Sequence, residues 1–276
     1  MRASGVVGLA LLATTTAAAA EEPSVAARPA RARAAPTRRP RPARSLAVFE
    51  PDHASAPSYR YANMGAETCL AELAARQIAH TRVPEAPGVL MPVRIPESVG
   101  GVRYHTALAH AARAASPYEV FDCRLVLALH DLSKILVRHG VDDVVTFSAW
   151  RPPGKRWPEG RLAHRHPGAL AVDVKALRGN APATSGSSDA PPAGGEGRFA
   201  LDVEADYHGA IGQPSCGPNA QAPTPPSDNA TRLRAIVCEA VSERLFTSVL
   251  TPNHDHAHRN HLHLELTPGV PWRLVR

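Results

Sequence analysis

Aromatic residues are scarce: Phe, Tyr and Trp make up 5% of the 276 residues. With so few, and no long apolar groove pattern, a carrier of hydrophobic ligands is a remote reading. Long apolar runs are also missing. No stretch after residue 20 approaches the roughly 18 consecutive apolar residues of a membrane-spanning helix, which excludes a later membrane span. None of the four cysteines follows the N-terminal segment directly, which argues against a lipid anchor, and none shows the C-x2-C spacing of a zinc knuckle. Net charge is absent from most of the chain. The formal +6 resides in residues 1–45, where eight Arg face two Glu, and the remainder carries 23 basic and 23 acidic residues. A basic tail without a basic folded face argues against a nucleic-acid partner. There are no internal repeats.

What is present begins with the anatomy of export. Arg2 precedes an apolar run over Gly5–Ala13, and Ala18-Ala19-Ala20 offers small residues before Glu21-Glu22. Residues 1–20 are therefore expected to be a signal peptide, and the protein to be exported, to the periplasm or cell envelope or beyond it as a secreted protein. Residues 21–45, rich in Arg, Pro and Ala, lack apolar periodicity and are expected to be a disordered tail, read first as a solvated spacer without a specific partner and alternatively as a tether to an anionic envelope polymer. Cys69, Cys123, Cys216 and Cys238 form an even set in a compartment that permits disulfides, with three connectivities open. A Pro/Gly/Ser-rich stretch at about 178–198 reads as an insertion within one domain spanning 46–276. Nothing in the sequence sets the oligomeric state.

Periodicity assigns the main elements. Helices are expected over Glu67–His80, Tyr118–His139 and Thr231–Phe246, the last capped by Asp228 or Asn229. Strands are expected over Asp143–Ala149, Leu170–Ala176 and Asn260–Leu266, with Arg198–Asp206 as a further candidate. In the second of these, Leu170, Val172, Val174 and Ala176 face one way, and Ala171, Asp173 and Lys175 the other. Such segregated helices and short strands predict an α+β fold: a single domain with a small, mainly antiparallel sheet flanked by helices.

The chemistry is concentrated in histidine. Of 14 His, five fall between residues 254 and 263, and His164 and His166 add a second cluster. In the final strand His261, His263 and Glu265 share one face, while Leu262, Leu264 and Leu266 take the other. The leucines anchor the strand in the core, and the imidazoles stand on its open face. Upstream, Asp173 lies between Val172 and Val174, where a carboxylate needs a cation or a donor. His166, Asp173 and one later His would make a three-ligand site with an open fourth position, as in a catalytic zinc centre. Such a zinc brings the pKa of a bound water down to about 7. His254 and His256, in the loop before the strand, read as solvated. A metal buffer built on His254–His263 is the competing use of this cluster.

His166-x6-Asp173 with Ala171 between, followed by His261-x-His263, resembles the zinc peptidases of the lysostaphin, D-Ala-D-Ala peptidase and hedgehog group. The closest resemblance is to the extensin-like C-terminal domain of bacterial proteins. It runs from about Cys69 to Leu266 and takes in Gly88–Ile95, Gly100–Val102 before Tyr104, Asp122-Cys123, Phe147–Arg151 and Cys238–His263. The resemblance implies one Zn2+ per chain held by His166, Asp173 and His263. It implies that His261 lies over the metal-bound water, that His258 and His261 share acid-base work or stabilise an oxyanion, and that Arg151 holds a substrate carboxylate or developing charge. Trp150 walls the cleft or packs in the core. The implied activity is hydrolysis of peptidoglycan stem peptides or cross-links, as a D,D-carboxypeptidase or an endopeptidase. Three positions depart from the pattern: His164 stands where a small residue is usual, Ala169 where Gly is common, and Asn260 where a Glu or Asp serves as base. An amide cannot take a proton, so acid-base work falls to His261, His258 or Glu265. Asn260 is the argument for the alternative, a non-catalytic, zinc-containing envelope protein of the same fold that binds the wall polymer.

Overall fold

The computed structural model of the protein describes residues 47–180 and 197–276. The signal peptide expected over 1–20, the tail expected over 21–45 and residues 181–196 of the expected insertion lie outside the described residues. In chain order the first elements are β1 (Val48–Phe49), α1 (Pro57–Ala62), α2 (Ala66–Ala75), β2 (Thr81–Arg82), β3 (Pro92–Arg94), β4 (Arg103–Thr106), α3 (His110–Arg113) and β5 (Phe121–Asp122). Then come α4 (Cys123–Arg138), β6 (Val141–Ser148), β7 (Ala171–Asn180), β8 (Arg198–Asp202), α5 (Val203–Asp206) and α6 (Asp228–Ser242). The last three are β9 (Ser248–Leu250), β10 (Leu262–Glu265) and β11 (Trp272–Val275).

The fold is α+β, as the element pattern predicts, but its sheet is larger than expected. Eight strands join in one sheet in the order β1-β11-β9-β10-β7-β6-β4, with β8 pairing the far end of β7, and β2-β3-β5 form a second sheet. Pairing is antiparallel apart from β4 with β6 and β9 with β11. The long strand β7 organises the sheet. One edge pairs with β6, and the other is shared end to end by β10 and β8.

Element ends follow local chemistry. Helix α4 starts at Cys123, later than the expected Tyr118, because the Asp122 carboxylate accepts the Arg124 N–H at 3.0 Å and caps it there. Asp122 itself belongs to a strand and also accepts the Leu90 N–H at 3.1 Å. Helix α2 stops at Ala75, short of the expected His80, and Gln77 takes a positive φ of 56°. The cap of α6 is Ser227, whose hydroxyl accepts the Ala230 N–H at 3.1 Å, and not Asp228 or Asn229. The region expected to be one strand over Arg198–Asp206 divides into β8 and α5, because the Asp202 carboxylate caps the turn at Glu204 and Ala205.

The core lies between this sheet and helices α4 and α6. Val172, Val174, Leu262 and Leu264 are each at most 4% exposed, and Leu132, Leu136, Ile236 and Val237 of the two helices meet that face. Burying each such side chain contributes about 1.5–3 kcal/mol, so β7 and β10 are anchored firmly on this side. The cysteines pair as Cys69–Cys123, which ties α2 to the start of α4, and Cys216–Cys238, which ties a loop to α6. Both bridges fit an oxidising compartment. Among the described residues, no helix is long and apolar enough to cross a membrane.

Candidate metal centre

The face of β7 opposite the core carries the histidines and carboxylates. Asp173 lies in register with His263 of β10 on one side and with Ser148 of β6 on the other. Two irregularities in the β6/β7 ladder shape this face. Val145 pairs with Ala176 and Thr146 with Val174, so Lys175 is the extra residue of a bulge. The bulge reverses the alternation beyond it, so that Leu177 joins Val174 over the core. Ala176 consequently turns to the other face, contrary to the uninterrupted alternation expected for this strand. Near the end of β6 the extra residue is Phe147, since Thr146 pairs with Val174 and Ser148 with Asp173. This returns Ser148 to the face of Asp173 and leaves Phe147 partly exposed beside the His261 ring, 6.0 Å between centroids and edge to face.

His166 reaches the same place from a tight turn just before β7. Arg165 and Ala169 on either side both adopt positive φ, 54° and 52°. Left-handed backbone is costly for such residues and persists where the surroundings enforce it. Ala169 thus occupies a conformation that a glycine would adopt without steric cost. Gly168 is demanded by close approach, since a Cβ there would lie 2.2 Å from the Ala163 carbonyl oxygen.

Three ligand atoms converge. His166 Nε2 lies 3.1 Å and His263 Nδ1 2.9 Å from Asp173 Oδ1. The ligand atoms of the three residues lie within 4.8 Å of one another, and all three side chains are buried. The face expected to be open is therefore largely covered: His263 is 6% and Glu265 3% exposed. The far nitrogen of each ring is already committed. His166 Nδ1 donates to the Ala149 carbonyl at 2.8 Å, and His263 Nε2 lies 2.9 Å from Glu265 Oε2. A carbonyl only accepts, so a neutral His166 turns the lone pair of Nε2 toward Asp173. Donating outward to an acceptor and presenting a lone pair inward is the usual posture of a metal-ligating histidine. Two imidazoles and one carboxylate converge here, with the Arg151 guanidinium on the other carboxylate oxygen, and this donor set fits a divalent metal.

With both ring nitrogens protonated, the same imidazoles instead donate to Asp173. Burial alone would push the Asp173 carboxyl up, but hydrogen bonds from His166 and His263 outweigh it and hold the group well below the usual carboxylate range. Burial pushes His263 down, while Asp173 and Glu265 more than reverse this and raise it. Burial also raises Glu265, yet His263 and Thr267 bring it lower overall.

The remaining predicted residues gather around this triad. His261 Nδ1 donates to Asn260 Oδ1 at 2.9 Å, which leaves Nε2 facing inward, 3.5 Å from Asp173 Oδ1. Burial, with help from the charges of His258, His263 and Arg151, brings His261 down to about 4, so its ring is neutral at pH 7. Asn260 thus has a structural task as the acceptor that fixes the His261 tautomer. The His258 ring lies 5.1 Å from that of His261 and 6.0 Å from that of His263. Its Nδ1 donates to Asp255 Oδ1 at 2.8 Å, which leaves Nε2 unprotonated in the neutral ring. Arg151 donates through Nη2 to Asp173 Oδ2 and through Nε to Ser148 Oγ at 2.8 Å. Its side chain is half-exposed and borders a cleft lined by Tyr118, Phe147, Ser148 and Pro152. Trp150 does not wall this cleft: it is buried, with its indole N–H on the Pro167 carbonyl. His164 and His256 are exposed, and His256 is solvated as expected, but His254 is half-buried against His258.

Two contributors escaped sequence reasoning. Asp255 carries a readable signal, an Asp three residues before a His at the start of a turn. Ser148 carries none, because its placement depends on the bulge at Phe147. Comparison of the chain with family models, with curated proteins and with solved structures found no match.

Proposed function

We propose that the protein is an exported zinc metallopeptidase that hydrolyses peptide bonds of peptidoglycan stem peptides or cross-links. The observation that carries the metal part is the convergence of His166 Nε2, Asp173 Oδ1 and His263 Nδ1, with the outward nitrogens of both imidazoles already hydrogen-bonded. The choice of substrate rests on the sequence resemblance to extensin-like domains and their zinc-peptidase relatives, and on the expected signal peptide. Zinc, when bound, supplies Lewis acidity toward a carbonyl and acidifies water.

The surrounding residues have definable work in such a hydrolysis. Asp255 holds His258 by Nδ1, so Nε2 is the atom that takes a proton and later delivers it to the leaving amine. His261, neutral and fixed by Asn260, turns Nε2 toward the reacting centre and orients the attacking water. The guanidinium of Arg151 borders the cleft and offers a fork for a terminal carboxylate or an oxyanion. Phe147 and Tyr118, both partly exposed on the cleft wall, give a peptide apolar surface to lie on. This assignment answers the difficulty raised by Asn260, since the base is a histidine backed by a carboxylate and needs no Glu at that position.

The test is digestion of cross-linked wall fragments by the zinc-loaded protein and by His263→Ala, followed by mass spectrometry. Loss of terminal D-Ala, or of cross-linked dimers, in the parent alone is the expected result and names the bond. Unchanged fragments with one zinc confirmed bound would overturn the peptidase reading in favour of a wall-binding protein.

A further inference from the structure

A second group of metal-competent side chains stands beside the triad. His254, Asp255 and His258 each offer a ligand atom, and these lie within 4.8 Å of one another. Besides its contact with His258 Nδ1 at 2.8 Å, Asp255 approaches His254 Nε2 at 3.5 Å through its other oxygen. The two imidazoles meet edge to face with centroids 5.0 Å apart. The backbone holds this arrangement in place. Asp255 Oδ1 accepts the His258 N–H at 3.1 Å, and the His254 N–H donates to the Thr251 carbonyl at 2.8 Å. Two imidazoles and a carboxylate are again an N2O donor set, which favours borderline divalent metals. All three side chains are only partly buried, and a cation must displace the hydrogen between Asp255 and His258. The site is therefore weaker than the buried triad.

We propose that His254, Asp255 and His258 form a second, weaker site for a zinc-class divalent cation, whose occupation withdraws His258 from proton transfer. The second half of this statement rests on the metallopeptidase reading. A cation on His258 Nδ1 takes the lone pair of that nitrogen and moves the ring's one proton to Nε2, so Nε2 becomes an N–H donor with no lone pair left to accept a proton. Because the His258 ring lies 5.1 Å from His261 and 6.0 Å from His263, this change occurs next to the reacting centre. Excess zinc then inhibits, and chelation back to one equivalent restores activity.

The test titrates zinc into the full chain and counts bound metal after equilibrium dialysis. The parent should hold two equivalents, one tight and one released at higher free zinc, and His254→Ala should hold only the tight one with an unchanged melting curve. Excess zinc should slow the parent and leave His254→Ala unaffected. Asp255→Asn provides a second variant for the metal count should His254→Ala fold poorly. A parent that binds a single equivalent throughout, or a second equivalent kept by both variants, overturns the proposal. His166→Ala separates the two readings, since it should lose the tight equivalent and keep the weak one. A parent without any tight equivalent would sink the metallopeptidase reading, leaving the second site to be judged by His254→Ala.

Discussion

Replacing Glu265 by Gln probes the metal centre without touching a ligand. Glu265 is buried at 3% exposure, with Oε2 2.9 Å from His263 Nε2 and Oε1 accepting from Thr267 Oγ1 at 2.8 Å. The amide oxygen of Gln can still accept the His263 N–H, so the ring stays oriented, but the negative charge that makes His263 a stronger donor is gone. Loss of such an outer partner typically costs 10–100-fold in metal affinity, or about 1.4–2.7 kcal/mol. The assay is competition for zinc against a chromophoric chelator, with His263→Ala beside it. Glu265→Gln should weaken zinc by one to two orders of magnitude, and His263→Ala by clearly more. Unchanged affinity in Glu265→Gln would show that His263 does not bind metal through Nδ1 with Glu265 behind it. The reasoning fails in that case even if a metal is present.

Three further outcomes are expected. Gly168→Ala forces a Cβ to within 2.2 Å of the Ala163 carbonyl. The turn that carries His166 must shift, at about 1–3 kcal/mol, and both melting temperature and zinc affinity should fall; an unaltered Tm would refute the contact. Opening Cys69–Cys123 by a double Ser substitution releases a loop of 54 residues. Chain entropy puts the loss at about 4 kcal/mol, hence a Tm drop on the order of 10 °C in a thermal melt. Asp131 is half-buried, and although burial raises its carboxyl, hydrogen bonds from Lys134 and Tyr61 and the charge of Arg76 bring it lower overall. A folded pKa below the unfolded value of about 3.8 stabilises above that value, and the contribution disappears as pH falls through the folded pKa. Asp131→Asn should therefore melt below the parent at pH 7 and converge with it near pH 2; a gap that persists in acid would place the effect in packing.

The proposed centre sits on a seam where three elements begin or end: the close of β6, the turn into β7 and the start of β10. Rigid strands fix Asp173 and His263, whose leucine and valine neighbours are locked into the core. The acid-base candidates, by contrast, come from the turn over His256–His258 and its flanks, which is held by Asp255 and Asn260. Firm ligands with acid-base groups on a shorter tether match the different tolerances of metal holding and proton transfer.

Much of this was legible in the residues themselves. Period-two alternation in Asn260–Leu266 separates leucines from histidines whatever the fold, because side chains on a strand must point in opposite directions. The same rule isolates Asp173 between two valines, and a buried carboxylate calls for a partner. The α+β class and an even cysteine set are likewise properties of pattern and composition. Tertiary structure decided the rest, because it depends on which segments become neighbours. The pairing of Cys69 with Cys123 and of Cys216 with Cys238 follows from helix placement, since four cysteines alone allow three connectivities. The bulges at Phe147 and Lys175 arise from matching β6 to β7, and they alone set Ser148 and Phe147 at the site and turn Ala176 away from the core. Which nitrogen each histidine points inward was settled by the acceptors behind it, Ala149, Glu265, Asn260 and Asp255. Strand alternation already puts Glu265 beside His263, whereas Asn260 and Asp255 reach their histidines only through the folded loop and Ala149 only through the approach of β6.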